Sequence, residues 1–304
     1  MINKKNIINS TILIFIIYFF NGCSKEPINH ETELKNIDDV LYHNEKNKPY
    51  TGKVYSSYNG KVKKNSGNLL NGKKEGEWVE FYDNGKMKSK EYYVNGNPNG
   101  IWEKWNNEGA LILKASFKNG KSHGIRTEWY ENGQKKQVGY FKDNEFDGDW
   151  IKWHSNGQIS ARGRYVGNKE QGKHEFWFPD GKKKSEAIFN NGELSGHRID
   201  WYKNGQKKEE GTSTGLWTQW YENGVKKAQG HYKDQLPEGK HIIWHQNGKR
   251  SSIMNFLNGS PHGERIEWYE NGQKKEQGNF INGKQSGVWI YYNHDGTIDG
   301  TEEY

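Results

Sequence analysis

Cysteine is almost missing from this chain: its 304 residues hold one, Cys23. A single cysteine excludes any internal disulfide framework, so stability must come from elsewhere. Proline is scarce too, at 6 residues, and only 31% of the chain is hydrophobic. So low an apolar share excludes a thick aliphatic core, because ordinary globular domains run near ~45–50% apolar with glycine counted. No long Ala/Leu/Glu stretch occurs, which argues against a helical bundle. Charge is not one-sided either. Lys and Arg number 45 against 38 Asp and Glu, a net +7 spread along the chain and too diffuse for a nucleic-acid footprint. What is abundant is glycine, with 37 residues, and aromatic rings, with 13 Trp, 18 Tyr and 12 Phe. A disordered chain rarely carries so many rings. High polarity, glycine and rings together fit a thin, repetitive β-structure.

The one sustained apolar block, Thr11 to Phe20, covers ten residues behind a basic start at Lys4 and Lys5. A membrane-spanning helix needs ~20 apolar residues, so the block is too short to span and reads as a secretory signal. Asn21, Gly22 and the sole Cys23 follow at once. This arrangement resembles a bacterial lipoprotein signal. The resemblance implies removal of residues 1–22, lipidation of Cys23 and attachment to a membrane. Three acyl chains would anchor the protein stably. Ser24 carries no Asp-type retention signal, which favours the outer membrane where the cell has one. Residues 23–49 read as a polar tether after the lipid, with a short helix conceivable around Glu33–Leu41, and residues 50–304 as the folded body.

That body is one unit written repeatedly. Unit-opening glycines stand at Gly52, Gly76, Gly100, Gly124, Gly148, Gly172, Gly196, Gly215, Gly239, Gly263 and Gly287, in steps of 24 broken once by a step of 19. Five places after the glycine, in ten consecutive units, stands an aromatic: Phe81, Trp105, Trp129, Trp153, Trp177, Trp201, Trp220, Trp244, Trp268 and Tyr292. A fixed period in the 20–50 range marks a repeat architecture whose units lean on their neighbours. Two Asn-Gly-type pairs divide each unit, as in Asn119-Gly120 and Asn132-Gly133. Such pairs favour type I′ hairpin turns. The expected fold is therefore all-β: an elongated antiparallel meander of tandem hairpins, roughly 20 strands in all, with no helical domain. The step of 19 falls between Gly196 and Gly215 and predicts a bend near 211–216. The first unit, with Ser56 and Ser57 where rings belong, looks like a cap.

Alternation assigns two faces. Positions three and five after the glycine share one face; β-branched residues and the aromatic column dominate it, and it reads as the buried side. Position two lies on the other face, which reads as wetter. Its Trp78, Trp102, Arg126, Trp150, Arg198, Trp217, Arg265 and Trp289 form a candidate binding face, with His174 and His241 in the same column. Interior glycines such as Gly139, Gly163, Gly230 and Gly278 mark candidate bulges.

The run Trp-Tyr-Glu-Asn-Gly-Gln-Lys-Lys at 129–136 and again at 268–275, with the Gly-x-Trp opening and the closing Asn-Gly-Lys, resembles the MORN-repeat variant of bacterial proteins. That variant is common in YwqK-type antitoxins of toxin–antitoxin systems. The resemblance implies a β-repeat scaffold that serves interaction or membrane association. No nucleophile elbow, phosphate loop or His-Glu-x-x-His is present, and paired carboxylates recur with the repeat instead of converging at one place. No catalytic residue, metal or cofactor is expected. His241 and His245 share a strand face near His231, but their columns hold Trp, Arg and Tyr elsewhere, so they read as substitutions and not as a metal site. The expected function is a monomeric, non-enzymatic envelope lipoprotein that presents its sheet to a protein partner. A glycan- or peptidoglycan-binding module is the alternative, and an antitoxin or immunity protein a further one.

Overall fold

The computed structural model describes residues 26–212 and 214–304. Residues 1–22, read from the sequence as a signal, and Cys23 lie outside the described residues. As the sequence predicts, the body is a meander, and it is longer than expected, with 24 strands in one sheet. Strands of nine residues such as Lys121–Trp129 alternate with strands of eight such as Lys135–Lys142. Each pairs antiparallel with the next in chain order, as in Ile125↔Tyr140 and Val138↔Ile151. The sheet is a single layer, so neither face has a second layer to bury it.

Both turn types in a unit use Asn-Gly, but only one is the expected type I′. At Asn119-Gly120 both residues have positive φ, 51° and 83°. That is the conformation a two-residue type I′ turn needs. At Asn132-Gly133 only the glycine is left-handed, at 80°. There Gly133 N–H donates to Tyr130 O at 2.9 Å, and Tyr130 N–H donates to Gln134 O at 2.8 Å. This is a type I turn closed by a left-handed glycine, and Asn132 Oδ1 accepts from Gln134 N–H at 3.1 Å. The tight turns lie along one edge of the sheet and the wider loops along the other.

The tether reading is corrected over residues 28–43. Ile28–Asn29 pairs in parallel with Gly52–Tyr58, His30–Glu33 forms one helical turn, and Leu34–Ile37 pairs with Val40–His43. Glu33–Leu41 is thus a turn and a hairpin, not the helix considered for it. Leu34 is buried with Val54, Leu69, Trp78 and Tyr93, and Ile28, Leu41 and Tyr50 pack around them. Leu41 N–H donates to Gly72 O and Gly72 N–H to Tyr50 O, tying this segment to the first tight turn. An array of hairpins leaves its first strand without a neighbour. Here a mostly polar segment supplies one with few apolar side chains, too few to show a period.

The short step at 211–215 is taken up as a notch in one edge. Lys207–Gly211 and Gly215–Trp220 have only five and six residues. On the opposite, wide-loop edge the repeat runs on without interruption. Tyr202 Oη donates to Trp220 O at 2.9 Å and Asn204 Nδ2 to Glu222 O at 2.8 Å, across 18 residues where full units use 23. The missing residues come entirely from the tight-turn edge.

Candidate functional site

The position-two column, expected on the wetter face, holds the most buried rings of the sheet. Trp289 is 0% exposed, His174 1% and Trp78 5%. The reason lies one strand back. Eleven residues before Trp78, Trp150, His174, His241 and Trp289 stand Gly67, Gly139, Gly163, Gly230 and Gly278. A Cβ on Gly278 would fall 2.3 Å from the Trp289 ring, and one on Gly163 2.3 Å from His174 Nδ1. Each ring therefore lies flat on bare backbone. The pairing to the next strand skips a residue around these glycines, as at Gln277/Asn279 and Arg162/Arg164, which bears out the bulges. Ring N–H groups complete the seat: Trp289 Nε1 donates to Asn279 O at 3.3 Å and Trp78 Nε1 to Asn68 O at 3.0 Å. His174 Nε2 lies 2.9 Å from Arg164 O and His241 Nε2 2.8 Å from His231 O. A carbonyl only accepts, so Nε2 carries the proton in both. Rings of the return strands close the sides: Trp102 lies 5.3 Å from Tyr93 and 4.5 Å from Phe117, and Phe280 meets Trp289 edge-on at 5.2 Å. Trp102 is the exception to the glycine rule, with Glu91 eleven residues upstream.

Units with arginine in this column follow a second rule. Eleven residues before Arg126, Arg198 and Arg265 stand Ala115, Ala187 and Met254, and two residues after them stand Glu128, Asp200 and Glu267. Arg126 Nε donates to Glu128 Oε1 at 2.9 Å, Arg198 Nη2 to Asp200 Oδ2 at 2.7 Å, and Arg265 pairs with Glu267. The guanidinium does not need the flat seat, and the carboxylate on the same strand face neutralises it. Arginine here is an internally paired substitute for a ring, and Arg126 and Arg198 still keep much of their side chains in water.

The position-five column, expected as the buried one, is half-buried throughout: Phe81, Trp105, Trp129, Trp153, Trp177, Trp201, Trp220, Trp244, Trp268 and Tyr292 all keep a partly open side. Cations from the preceding return strand cover several, with Arg162 5.2 Å from the Trp177 ring and Lys183 5.7 Å from Trp201. Alternation sorts side chains between faces but does not say what covers a face. Beyond the capped end, where residues 28–43 pack on Trp78, only the single-layer sheet itself can.

One recurrent group carries a role that the repeat pattern hid in plain view. The residue at position six bonds to the backbone of the next unit: Tyr82 Oη to Trp105 O, Tyr130 Oη to Trp153 O and Tyr221 Oη to Trp244 O, all at 2.8 Å. His154 and His245 make the same bond to Trp177 O and Trp268 O, at 3.0 and 2.9 Å. Asn132 Nδ2 and Asn223 Nδ2 repeat the step one turn further out, to Ser155 O and Gln246 O. His245 is therefore a rung of a ladder and His241 a seated ring. No group of three or more His, Cys, Asp or Glu is placed to hold a metal among the described residues.

The strongest electrostatic cluster surrounds Glu175, which is 7% exposed. Burial works against its charge. The Lys183, Arg162 and Lys173 contacts, at 3.0, 2.6 and 3.3 Å, outweigh that and hold its carboxyl at about 2. Near the capped end, Lys74 Nζ lies 4.6 Å from the Trp78 and Tyr93 rings, and burial pulls its ammonium below the usual lysine range.

A family model described as MORN repeat variant matches residues 74–95, 122–143, 170–191, 213–234 and 261–282. Each stretch holds a forward strand with its return strand, so five hairpins of this all-β chain match the MORN repeat variant. No curated protein matches the chain in sequence. Among solved structures, a crystal structure of TcdB2-TccC3-Cdc42 aligns at 10% identity and TM-score 0.19, over 79% of this chain and 14% of that one. One of TcdB2-TccC3 aligns at 10% identity and TM-score 0.20, over 83% and 16%. A porin-like protein from Bacteroides uniformis aligns at 8% identity and TM-score 0.15, over 78% and 88%. The chain thus spans about a sixth or less of the first two, and likenesses this low carry no argument about fold or function.

Proposed function

We propose that the protein is a non-enzymatic envelope lipoprotein, held to a membrane through Cys23, whose repeat sheet is a docking scaffold for a protein partner. The observation that carries the docking role is an exposed row on the face opposite the seated rings. Ile125 and Tyr140 stand opposite each other on neighbouring strands and are 59% and 41% exposed; Ile101 and Tyr92, nearer the capped end, are 53% and 45% exposed. Contiguous apolar surface on a protein this polar marks an interaction site, and tyrosine with isoleucine is anchor chemistry for a protein partner. Further along, the same row carries Asp149, Arg164, Lys173 and His197, and its exposed Ile188, Leu216 and Val288 face Lys173, His231 and Glu303 instead of a ring, so the tyrosine-with-isoleucine patch is confined to the units nearest the capped end. Such a position suits a partner close to the anchoring membrane.

Two measurements test the proposal. Crosslinking in intact cells, followed by capture from detergent-solubilised envelope, should recover a specific protein with the native chain and lose it with Ile125→Asp. Capture that is indifferent to the substitution removes the patch from the proposal. Metabolic labelling with a fatty-acid analogue should mark the native chain and not Cys23→Ala; label persisting on the variant refutes lipidation there.

A further inference from the structure

The notch at residues 211–217 leaves one ring of the position-two column without its neighbours. In the full units after the first, the residue two places after the interior position is aromatic: Tyr93, Phe117, Phe141, Tyr165, Phe189, Tyr232, Phe256 and Phe280. After Gly211 that place is taken by serine, and the strand ends. Trp78, Trp102, Trp150 and Trp289 each contact another ring, whereas Trp217 contacts none among the described residues. Its ring still lies on bare backbone, since a Cβ on Gly211 would fall 2.4 Å from it. Beside it opens a cavity of about 370 Å³, lined by Trp217, Glu209, Gln219, Tyr232, Gln235 and His241 over Ala228 and Gly230. Gln219 Nε2 donates to Glu209 Oε2 at 3.1 Å, which orients both groups at one wall.

We infer that this notch is a carbohydrate subsite, in which a neutral hexopyranose ring takes the place of the missing aromatic. The volume falls within the ~300–1,000 Å³ of small-ligand pockets. The chemistry selects the class. A flat indole face takes the C–H side of a pyranose, and a carboxylate, two amides and a phenol around it accept from and donate to hydroxyls. A wall holding Glu209 disfavours phosphate-bearing ligands. The lining is also richer in hydrogen-bonding groups than one aromatic peptide side chain can satisfy, and unpaired partners would penalise such a ligand. The site lies on the opposite face from the exposed apolar row and some units away from it. Failure of one therefore leaves the other standing.

The test is calorimetric titration of the full chain, in a detergent without a sugar headgroup, with cellotriose, maltotriose and chitotriose. At least one should bind with millimolar or tighter Kd, and Trp217→Ala should weaken it at least tenfold while Trp217→Phe stays within about fivefold. A second variant guards against loss of fold. Replacing residues 212–214 by the eight residues 231–238 restores the full spacing and the missing ring. It should fold at least as stably as the native chain and no longer bind the sugar. The inference is overturned if none of the three sugars binds, if Trp217→Ala or the restored unit binds like the native chain, or if N-acetyltyrosinamide binds in their place.

Discussion

How deeply a position-two tryptophan is buried depends on what its ring lies against on the strand before it. Trp289 lies on Gly278, walled by Phe280 and Tyr304, and is wholly buried. Trp129, in the more regular aromatic column, keeps one side in water. Truncating a fully buried Trp costs ~3–5 kcal/mol. Truncating a half-buried one forfeits mainly its transfer energy, about 1–2 kcal/mol. Thermal melting of Trp289→Ala beside Trp129→Ala should therefore show the larger drop in Tm for Trp289. Equal drops, or the reverse order, would put the cover of the sheet on the other face. The ranking runs against column regularity because regularity at position five reflects a uniform half-exposed environment. Position two varies between rings and arginine because two kinds of seat occur: bare glycine under most rings, and a side-chain-bearing Ala115, Ala187 or Met254 with an acid partner under the arginines.

At the scale of strands and turns, the period, the glycines and the Asn-Gly pairs made the meander legible. These signals are local: a positive φ at Gly120 depends on its own turn and on nothing distant. The faces were not legible, because burial in a single layer depends on a residue one strand back, as Gly163 serves His174. The segment from Ile28 to His43 was hidden for a different reason. Its contribution rests on isolated Ile28, Leu34 and Leu41, without enough repeats to set a rhythm. The tyrosine and histidine rungs were visible as a recurrence at position six, but the sequence does not state a hydrogen-bond direction. One cluster ties three successive strands together: Arg162 on the first, Glu175 and Lys173 on the second, Lys183 and Glu186 on the third. The folded Glu175 carboxyl titrates at about 2 against an ordinary 4.5. A depressed carboxyl pKa adds stability that is fully present above pH ~4.5 and is lost as pH falls toward 2, on the order of 3 kcal/mol for a shift of this size. Urea midpoints at pH 5.5 and at pH 2.5 should therefore differ more for the native chain than for Glu175→Gln. The same pH dependence in both would mean that the three cations do not stabilise the ionised form.

Over the whole molecule, stability is a sum of nearest-neighbour terms, because each hairpin touches only the ones beside it. Such an array is as strong as its weakest internal junction, and the strand pairing is thinnest at the shortened unit. Full units pair with their neighbours through about five or six register positions on each side, as at Gly263↔Phe280 through Trp268↔Lys274. Between Lys207–Gly211 and Gly215–Trp220 only Glu209↔Gln219 and Glu210↔Thr218 pair. The wide-loop edge is held there by Tyr202 and Asn204, so the sheet stays in one piece, yet the tight-turn edge has lost its share of ladder and its ring. Local opening follows contact density, with poorly paired segments exchanging their amides first. Hydrogen exchange on the full chain should accordingly show the fastest interior amides at residues 207–220, slower exchange in the flanking units, and fraying at the Ile298–Glu303 edge. Tyr202→Phe, which removes the hydroxyl bridging to Trp220, should raise exchange at 207–220 several-fold and leave residues 121–166 unchanged. Protection at 207–220 equal to that of the full units would show that the shortened repeat couples as strongly as the rest, and that the array has no internal weak point.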